Sequence, residues 1–340
     1  MIDDQRPGTI YWIDHYVVGT DDVDRFEDFH QKVLGAKTYP VSEERRRQVG
    51  IFQDVGAGCC HHGGFVQKAP MPPSPGLGRG KPRHGFFIRN EDIDEHLRRL
   101  DKHGVPHTDP VRTSEEGDEG TAIYWEDADH NQFEFWAPTH VPDGAFENVG
   151  SLKIGRISHG VFESRDLQRT ADFFSRYCAL DPMSSADIPS DTLVLPLAAG
   201  GRLVFKQVDT LGERTSGRGV FRALHDALVV RDEDFFPNYE RVWAELPEWD
   251  FDERRDGPPE GAVDLPARTV LHGSPAGRQW KQLYGRGDDW YDPDTNGFHF
   301  FGGEGQRGSM TSYEPHSMEF HLERYVEAHG LQSEGHGGRA

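Results

Sequence analysis

Cysteine is scarce in this chain, with three residues among 340. Cys59 and Cys60 are adjacent and Cys178 stands alone, a spacing that fits neither a zinc ribbon nor a disulfide framework. Long apolar runs are also missing, since no stretch approaches the ~18 residues of a membrane-spanning helix. The N-terminus has no apolar segment of the kind found in secretion signals. These absences predict a cytoplasmic protein in a reducing compartment.

Positive charge is in short supply as well. The 37 Lys and Arg residues face 58 Asp and Glu, which gives a formal net charge of −21. Such a chain repels phosphates, so we expect neither a nucleic acid nor an anionic membrane as a partner. Glycine is abundant, with 39 residues, and 35% of the chain is hydrophobic. The length and composition predict a globular protein rich in turns, with two domains.

One pattern of elements recurs along the chain. A predicted strand over residues 10–18 is followed by a helical pattern over residues 23–34 and by short strands up to residue 67. After a Pro/Gly-rich loop over residues 67–83, the pattern restarts at residues 83, 151 and 223. The sequence therefore predicts an α+β fold of four βαβββ units, paired as two pseudo-repeats.

The repeat suggests domain boundaries. We expect an N-terminal domain over residues 1–148, a C-terminal domain over residues 149–304 and a tail over residues 305–340. The polar, Pro/Gly-rich residues 251–279 are predicted to form a long inserted loop. A helix is predicted in the tail, over residues 314–328.

Histidine spacing supports the repeat. His15 and His84 are 69 residues apart, and Glu134 follows after another 50. In the second half His159 and His225 are 66 residues apart, and His299 follows after 74. Removing an inserted loop would bring the last interval close to 50. We expect the two halves to superpose with these three positions aligned.

The stretch from Tyr124 to Glu134 predicts a β-hairpin with a turn at Asp127–Asn131. Glu134 stands between Phe133 and Phe135, and a carboxylate in so apolar a strand needs a partner to offset its desolvation. A metal cation is one such partner. The alternative is an outward-facing Glu, because side chains alternate along a strand.

These residues resemble the vicinal oxygen chelate superfamily, which includes glyoxalases, bleomycin-resistance proteins and type I extradiol dioxygenases. The resemblance covers residues 8–303 and rests on the paired units with their Asp-x-Asp-x-Asn-x-x-Glu hairpin. The four-unit length is most similar to two-domain extradiol dioxygenases, whose fingerprint places a Tyr ten residues before the ligand Glu. Tyr124, Asp127 and Glu134 match it, whereas Ala128 and His130 stand where the family usually has Pro and Gly. The resemblance implies two barrel-like domains.

The resemblance also implies a metal site, with His15, His84 and Glu134 as ligands. Two imidazoles and one carboxylate leave neighbouring coordination positions open, which suits Fe(II) and oxygen chemistry. Mn(II) fits the same ligands, and Zn(II) or Ni(II) would suit a lyase or isomerase. Because the full triad lies in the first half, the second half is predicted to be degenerate, although its three histidines could hold another metal.

Three further residues are implied as catalytic. Extradiol enzymes carry an acid–base histidine on the last strand of a unit, where this chain has His61 and His62. Alternation along the strand allows only one of them to face the metal, and the sequence does not decide which. Tyr124 is expected to hydrogen-bond the substrate oxygen.

The main hypothesis is an Fe(II)-dependent extradiol dioxygenase that opens an aromatic diol or aminophenol with O2, acting as a homo-oligomer. One alternative is a metal-dependent lyase or isomerase of the glyoxalase kind. Another is a protein that binds a small aromatic molecule without turnover, as bleomycin-resistance proteins do.

Overall fold

A computed structural model describes most of the chain. The described residues are 9–20, 22–34, 37–39, 48–52, 61–66, 73–143, 145–146, 152–212, 225–251, 266–271 and 289–303. The tail helix predicted over residues 314–328 and the loop residues 67–72 lie outside these ranges. Within them, no helix is both long and apolar enough to cross a lipid bilayer.

Four units of a strand, a helix and further strands are present, but among the described residues the third unit has two strands after its helix and the fourth has four, where three were predicted for each. The first unit comprises β1 (Ile10–Thr20), α1 (Val23–Leu34), β2 (Lys37–Tyr39), β3 (Gln48–Phe52) and β4 (His61–Val66). The second comprises β5 (Arg83–Phe87), a 3-10 turn (Asn90–Asp92), α2 (Ile93–Lys102), β6 (Val111–Thr113), β7 (Gly120–Glu126) and β8 (Gln132–Pro138).

The second half repeats this plan. The third unit comprises β9 (Ile157–Ser164), α3 (Leu167–Cys178), β10 (Thr192–Pro196) and β11 (Arg202–Gln207). The fourth comprises β12 (His225–Arg231), α4 (Asp232–Glu245), β13 (Glu248–Phe251), β14 (Ala267–Leu271), β15 (Asp289–Tyr291) and β16 (Gly297–Gly303). The segment predicted as a loop over residues 251–279 therefore contains the strand Ala267–Leu271, which its polar, Pro/Gly-rich surroundings concealed.

Helix α3 illustrates how the sequence sets its own boundaries. The Asp166 side chain accepts a hydrogen bond from the Arg169 backbone N–H, which caps the helix start. Ala179 ends the helix in the left-handed conformation. Phe173, Phe174 and Tyr177 fall on one face at helical spacing and are buried. This face packs on the sheets and contributes to the core.

The two sheets join units from different halves of the chain. The nine-stranded sheet has the order β13-β14-β15-β16-β12-β1-β4-β3-β2, so it combines the first and fourth units. The seven-stranded sheet has the order β10-β11-β9-β5-β8-β7-β6 and combines the second and third. The predicted α+β fold of paired units is confirmed. The domain boundary at residue 148 stays a prediction. Both sheets contain strands from before and after this residue.

The hairpin turns join the units in the other direction. Asn131 donates a hydrogen bond to the Gly19 carbonyl at the end of β1, 2.8 Å away. Asn296 donates to the Glu163 carbonyl at the end of β9, 3.1 Å away. These bonds tie the second unit to the first and the fourth to the third. Each β-sheet therefore joins a unit of the first half to a unit of the second, whereas the hairpin turns link the two units within each half.

Candidate metal centre in the seven-stranded sheet

Strand register places five residues in one row across the seven-stranded sheet. Neighbouring strands pair them in sequence, so they share one face of the sheet. This row, here called the acid row, comprises Tyr124, Glu134, Gly85, His159 and Arg202. The opposite face of β8 carries Phe133 and Phe135, which pack against α1 and α2.

Glycine at position 85 allows the row to close around Glu134. A Cβ at this position would overlap the His159 ring, so the ring lies directly over the Gly85 backbone. The His159 Nε2 atom reaches a Glu134 carboxylate oxygen at 3.2 Å, and Nδ1 lies 3.0 Å from the Ser158 hydroxyl. Burial lowers the pKa of His159 to about 3, which keeps this imidazole neutral and able to act as a ligand.

A buried ion cluster surrounds Glu134. The Arg83 guanidinium donates to Glu134 at 2.5 Å, to Glu116 at 2.9 Å and to Glu115 at 3.0 Å. Lys206 forms a further ion pair with Glu115 at 2.9 Å. All three carboxylates have no exposed surface. Two cations thus face three carboxylates, which leaves one excess negative charge inside the protein.

The carboxyl groups respond differently to this environment. Burial alone would raise the pKa of Glu115, but Arg83 and Lys206 lower it to about 2. Burial raises the pKa of Glu116 to about 7, and the nearby Glu134 charge adds to that rise. Burial likewise raises the pKa of Glu134 to about 7, against the opposing effect of Arg83. Charge on these two side chains is therefore costly without a further cation.

Three ligand atoms lie within 4.8 Å of one another, one each from Glu116, Glu134 and His159. Glu116 Oε2 and Glu134 Oε1 are buried and make no hydrogen bond with the residues described. The hydroxyl of Tyr124 is buried and unpartnered in the same sense. Buried polar atoms are normally satisfied, and an ion is one explanation when they are not. The group can hold a metal ion.

The structure does not bring His15, His84 and Glu134 together. Gly85, and not His84, lies in register with Glu134, so His84 occupies the opposite face of the sheet. Its Nε2 atom forms a 2.6 Å hydrogen bond with Asp226, and its ring stacks on Tyr16. The residue spacing did not reveal this placement, because a shift of one residue in strand register moves a side chain to the other face of the sheet.

His15 lies on β1 of the other sheet, in register with His61 of β4 and with Ala227 of β12. Ala227 is in turn paired with His299 of β16. These four positions, here called the histidine row, are the counterpart of the acid row. His62 is in register with Tyr16, on the alternate face, so of the two neighbouring histidines it is His61 that shares a row with His15. The catalytic assignment of both stays a prediction.

Register also revises the alignment of the halves. His15 corresponds to His159 and Glu134 to His299, as predicted. The counterpart of His84 is Asp226 and not His225, because Gly85 and Ala227 occupy equivalent places in the two rows.

Glu116, Arg83 and the pairing of His159 with Glu134 were not predicted. The Glu115-Glu116 pair just before an apolar strand was a usable signal, because adjacent acids there need a cation. The contact between His159 and Glu134 depends on the pairing of β5 with β9, which joins the two halves.

Comparison with known proteins agrees with this fold. The sequence profile of the Glyoxalase/Bleomycin resistance protein/Dioxygenase superfamily matches residues 12–135. Glyoxalase I from Zea mays superposes with a TM-score of 0.52 at 13% identity, over 95% of this chain and 97% of that one. A proposed dioxygenase of Bacillus subtilis subsp. subtilis strain 168 gives 0.50 at 14% identity, over 69% and 75%.

At such identities, structural similarity shows a shared fold and carries no chemistry. No curated protein matches the sequence. The superfamily includes both glyoxalases and dioxygenases, so membership leaves several metal-dependent reactions open. The profile match assigns residues 12–135 to the glyoxalase/bleomycin resistance/dioxygenase superfamily, also called the vicinal oxygen chelate superfamily, and the similarity to glyoxalase I from Zea mays shows that the fold is shared over most of the chain.

Proposed function

We propose that this protein is a metal-dependent enzyme, an extradiol-type dioxygenase that opens an aromatic diol or aminophenol with O2. One observation carries the proposal: Glu116, Glu134 and His159 present ligand atoms within 4.8 Å of one another, and one oxygen of each carboxylate is buried without a partner. Fe(II) is the proposed ion, with Mn(II) as a second fit. When bound, it would supply open coordination positions for a diol and O2.

Charge favours an anionic substrate at this place. The excess negative charge of the cluster becomes a single positive charge when a divalent ion is added. That positive charge lies in a water-excluded interior, where Coulomb attraction is stronger than in water. A deprotonated diol or aminophenol would therefore be held at the centre, whereas a neutral ligand would gain less.

Tyr124 is the proposed substrate-binding residue. It is paired with Glu134 across β7 and β8, and its buried hydroxyl makes no hydrogen bond with the described residues. Burial, reinforced by the Glu134 charge, raises the pKa of Tyr124 well above its usual value, so the hydroxyl stays protonated. A protonated phenol can donate a hydrogen bond to a substrate oxygen.

The loop of residues 73–82 forms part of the cover over the buried centre. Leu77 packs against the buried cluster that contains Tyr124 and Trp136. The Gly80 backbone N–H donates to Glu115 at 3.0 Å. Since the three candidate ligands have no exposed surface, a substrate reaches them only after some covering segment moves, and this loop is the proposed one.

The test is metal analysis of anaerobically purified protein, followed by oxygen uptake with a panel of catechols and 2-aminophenols. We expect about one divalent ion per chain and oxygen consumption that requires Fe(II) or Mn(II). Glu134→Gln should abolish both. Glu119→Gln is the matched control, because Glu119 is exposed and pairs with Arg112 away from the cluster. Turnover without oxygen consumption would favour the lyase or isomerase, and metal-free protein that binds catechols would favour a binding role.

A further inference from the structure

The Arg83 side chain is only 1% exposed and donates four hydrogen bonds. Its Nε donates to Glu134, its Nη2 donates to both Glu116 and Glu115, and its Nη1 donates to the Lys81 carbonyl at 3.0 Å. The guanidinium also lies 4.9 Å from the centre of the Tyr124 ring. Burial alone would lower the pKa of Arg83, but the three carboxylates raise it above its usual value.

The pattern of these bonds separates the oxygens of each candidate ligand. Arg83 donates to Oε2 of Glu134, which also lies 3.2 Å from His159 Nε2, and to Oε1 of Glu116. The other oxygen of each carboxylate, Oε1 of Glu134 and Oε2 of Glu116, is the buried atom that makes no hydrogen bond. One planar group therefore fixes two carboxylates and leaves one oxygen of each free.

We propose that Arg83 is a positioning residue, which aims Glu116 and Glu134 so that their free oxygens meet at the metal together with His159. This inference rests on the proposed function and concerns a residue that does not itself bind the metal. A guanidinium suits the task because its donors lie in a rigid plane and can hold two carboxylates at once. A Lys ammonium carries the same charge without that geometry.

The same contacts allow an opposite role, in which Arg83 replaces the metal as the cation of the cluster. The two roles predict opposite results. If Arg83 orients the ligands, a variant that keeps the positive charge but lacks the planar guanidinium should bind metal more weakly. If Arg83 takes the place of the metal, weakening its bonds should make metal binding tighter.

The decisive variant is Arg83→Lys. Its dissociation constant for Mn(II) is measured on the full chain by competition with a chelator, and the same titration is repeated anaerobically with Fe(II). We expect binding ~10–100-fold weaker than in the parent, the usual effect of losing a group that orients a metal ligand. Thermal unfolding of the metal-free variant reports on folding separately. Arg112→Lys is the control, because Arg112 is exposed and pairs with Glu119.

A second variant covers the case in which Arg83→Lys does not fold. Glu115→Asp keeps the negative charge but shortens the side chain, which loosens the bond to Arg83 at a residue that is not a ligand. We expect Mn(II) binding several-fold weaker. Unchanged or tighter binding in whichever variants fold overturns the positioning role. If the parent binds no metal, or binds it equally well after Glu134→Gln, the proposed function itself fails, which is a different result.

Discussion

The acid row and the histidine row occupy the same register positions of two different sheets, yet their chemistry differs. At the equivalent places, Glu134 and Arg202 of the seven-stranded sheet correspond to His299 and His61 of the nine-stranded sheet. Only the first-strand histidine, His159 in one row and His15 in the other, is common to both. The two rows thus share their backbone register and differ in the donor atoms that they carry.

The difference shows what each row can bind. Glu134 of the acid row lies in a buried cluster with Glu115, Glu116, Arg83 and Lys206, so cations of the protein offset much of the negative charge at that site. The histidine row contains three histidines and no carboxylate, and imidazole ligands suit Zn, Cu, Fe and Ni ions. Equal backbones therefore do not imply equal sites.

Removing one donor from each row shows which of the two rows binds the metal. Glu134→Ala should reduce the metal content from about one ion per chain to near zero and abolish turnover, because it deletes a ligand. His299→Ala should leave the metal bound to the acid row in place. Elemental analysis of both purified variants decides the matter. Retention of metal in Glu134→Ala with its loss in His299→Ala would move the centre to the nine-stranded sheet.

The small residue at the centre of each row can be exchanged. Gly85→Ala should destabilise the protein by about 1–3 kcal/mol, because the added Cβ overlaps the His159 ring. The reverse change in the other row, Ala227→Gly, should cost only about 0.5–1 kcal/mol of strand stability. Urea unfolding monitored by circular dichroism measures both. If alanine is harmless at position 85, the His159 ring is not held against the strand.

The two hairpin turns make equivalent hydrogen bonds, so we expect equivalent substitutions in them to lower stability by similar amounts, in contrast to the two rows. Asn131→Ala removes the hydrogen bonds of its side chain to Gly19 and Asp127. Asn296→Ala removes the equivalent bonds to Glu163 and Asp292. Each change should destabilise the protein by about 1–3 kcal/mol through unsatisfied buried partners. Thermal unfolding against Gln168→Ala, an exposed helix position, tests whether the two turns are equally important.

The smallest effect concerns His96 on α2, which packs on Phe135 behind the acid row. Burial lowers the pKa of His96 to about 4, below the 6.5 of an unfolded chain. The unfolded state then binds the proton more readily, so native stability falls as the pH drops from 6.5 towards 4. His96→Phe should flatten that decline by at most ~1.4 kcal/mol per pH unit and change little at pH 8. An unchanged pH profile of chemical unfolding would contradict this.

Much of the fold could be predicted because it depends on local patterns. The strand of β1, the helix of α3 and the turn at Asp127–Asn131 follow from alternation, capping and turn chemistry within a few residues. The strand Ala267–Leu271 was missed, since polar and Pro/Gly-rich surroundings hid its short pattern. Local rules also gave no information on which units share a sheet.

The candidate site was predicted in part for the same reason. Glu134 and Tyr124 could be singled out because both lie in one hairpin, and the structure places both in the acid row. The pairing of Glu134 with His84 depended on register, and a shift of one residue puts Gly85 there instead. His159 belongs to the other half of the chain. A site assembled across the halves cannot be read from spacing within one of them.

The crossed pairing of the sheets has a consequence for the order of folding. One edge of β1 is covered by β4 within the first unit, but the other edge waits for β12, whose first residue, His225, lies more than two hundred residues downstream. During synthesis that edge stays open while the second and third units complete the seven-stranded sheet. Open strand edges invite pairing with other chains. The seven-stranded sheet would therefore form first, and the nascent chain would be most prone to aggregate just before the fourth unit emerges.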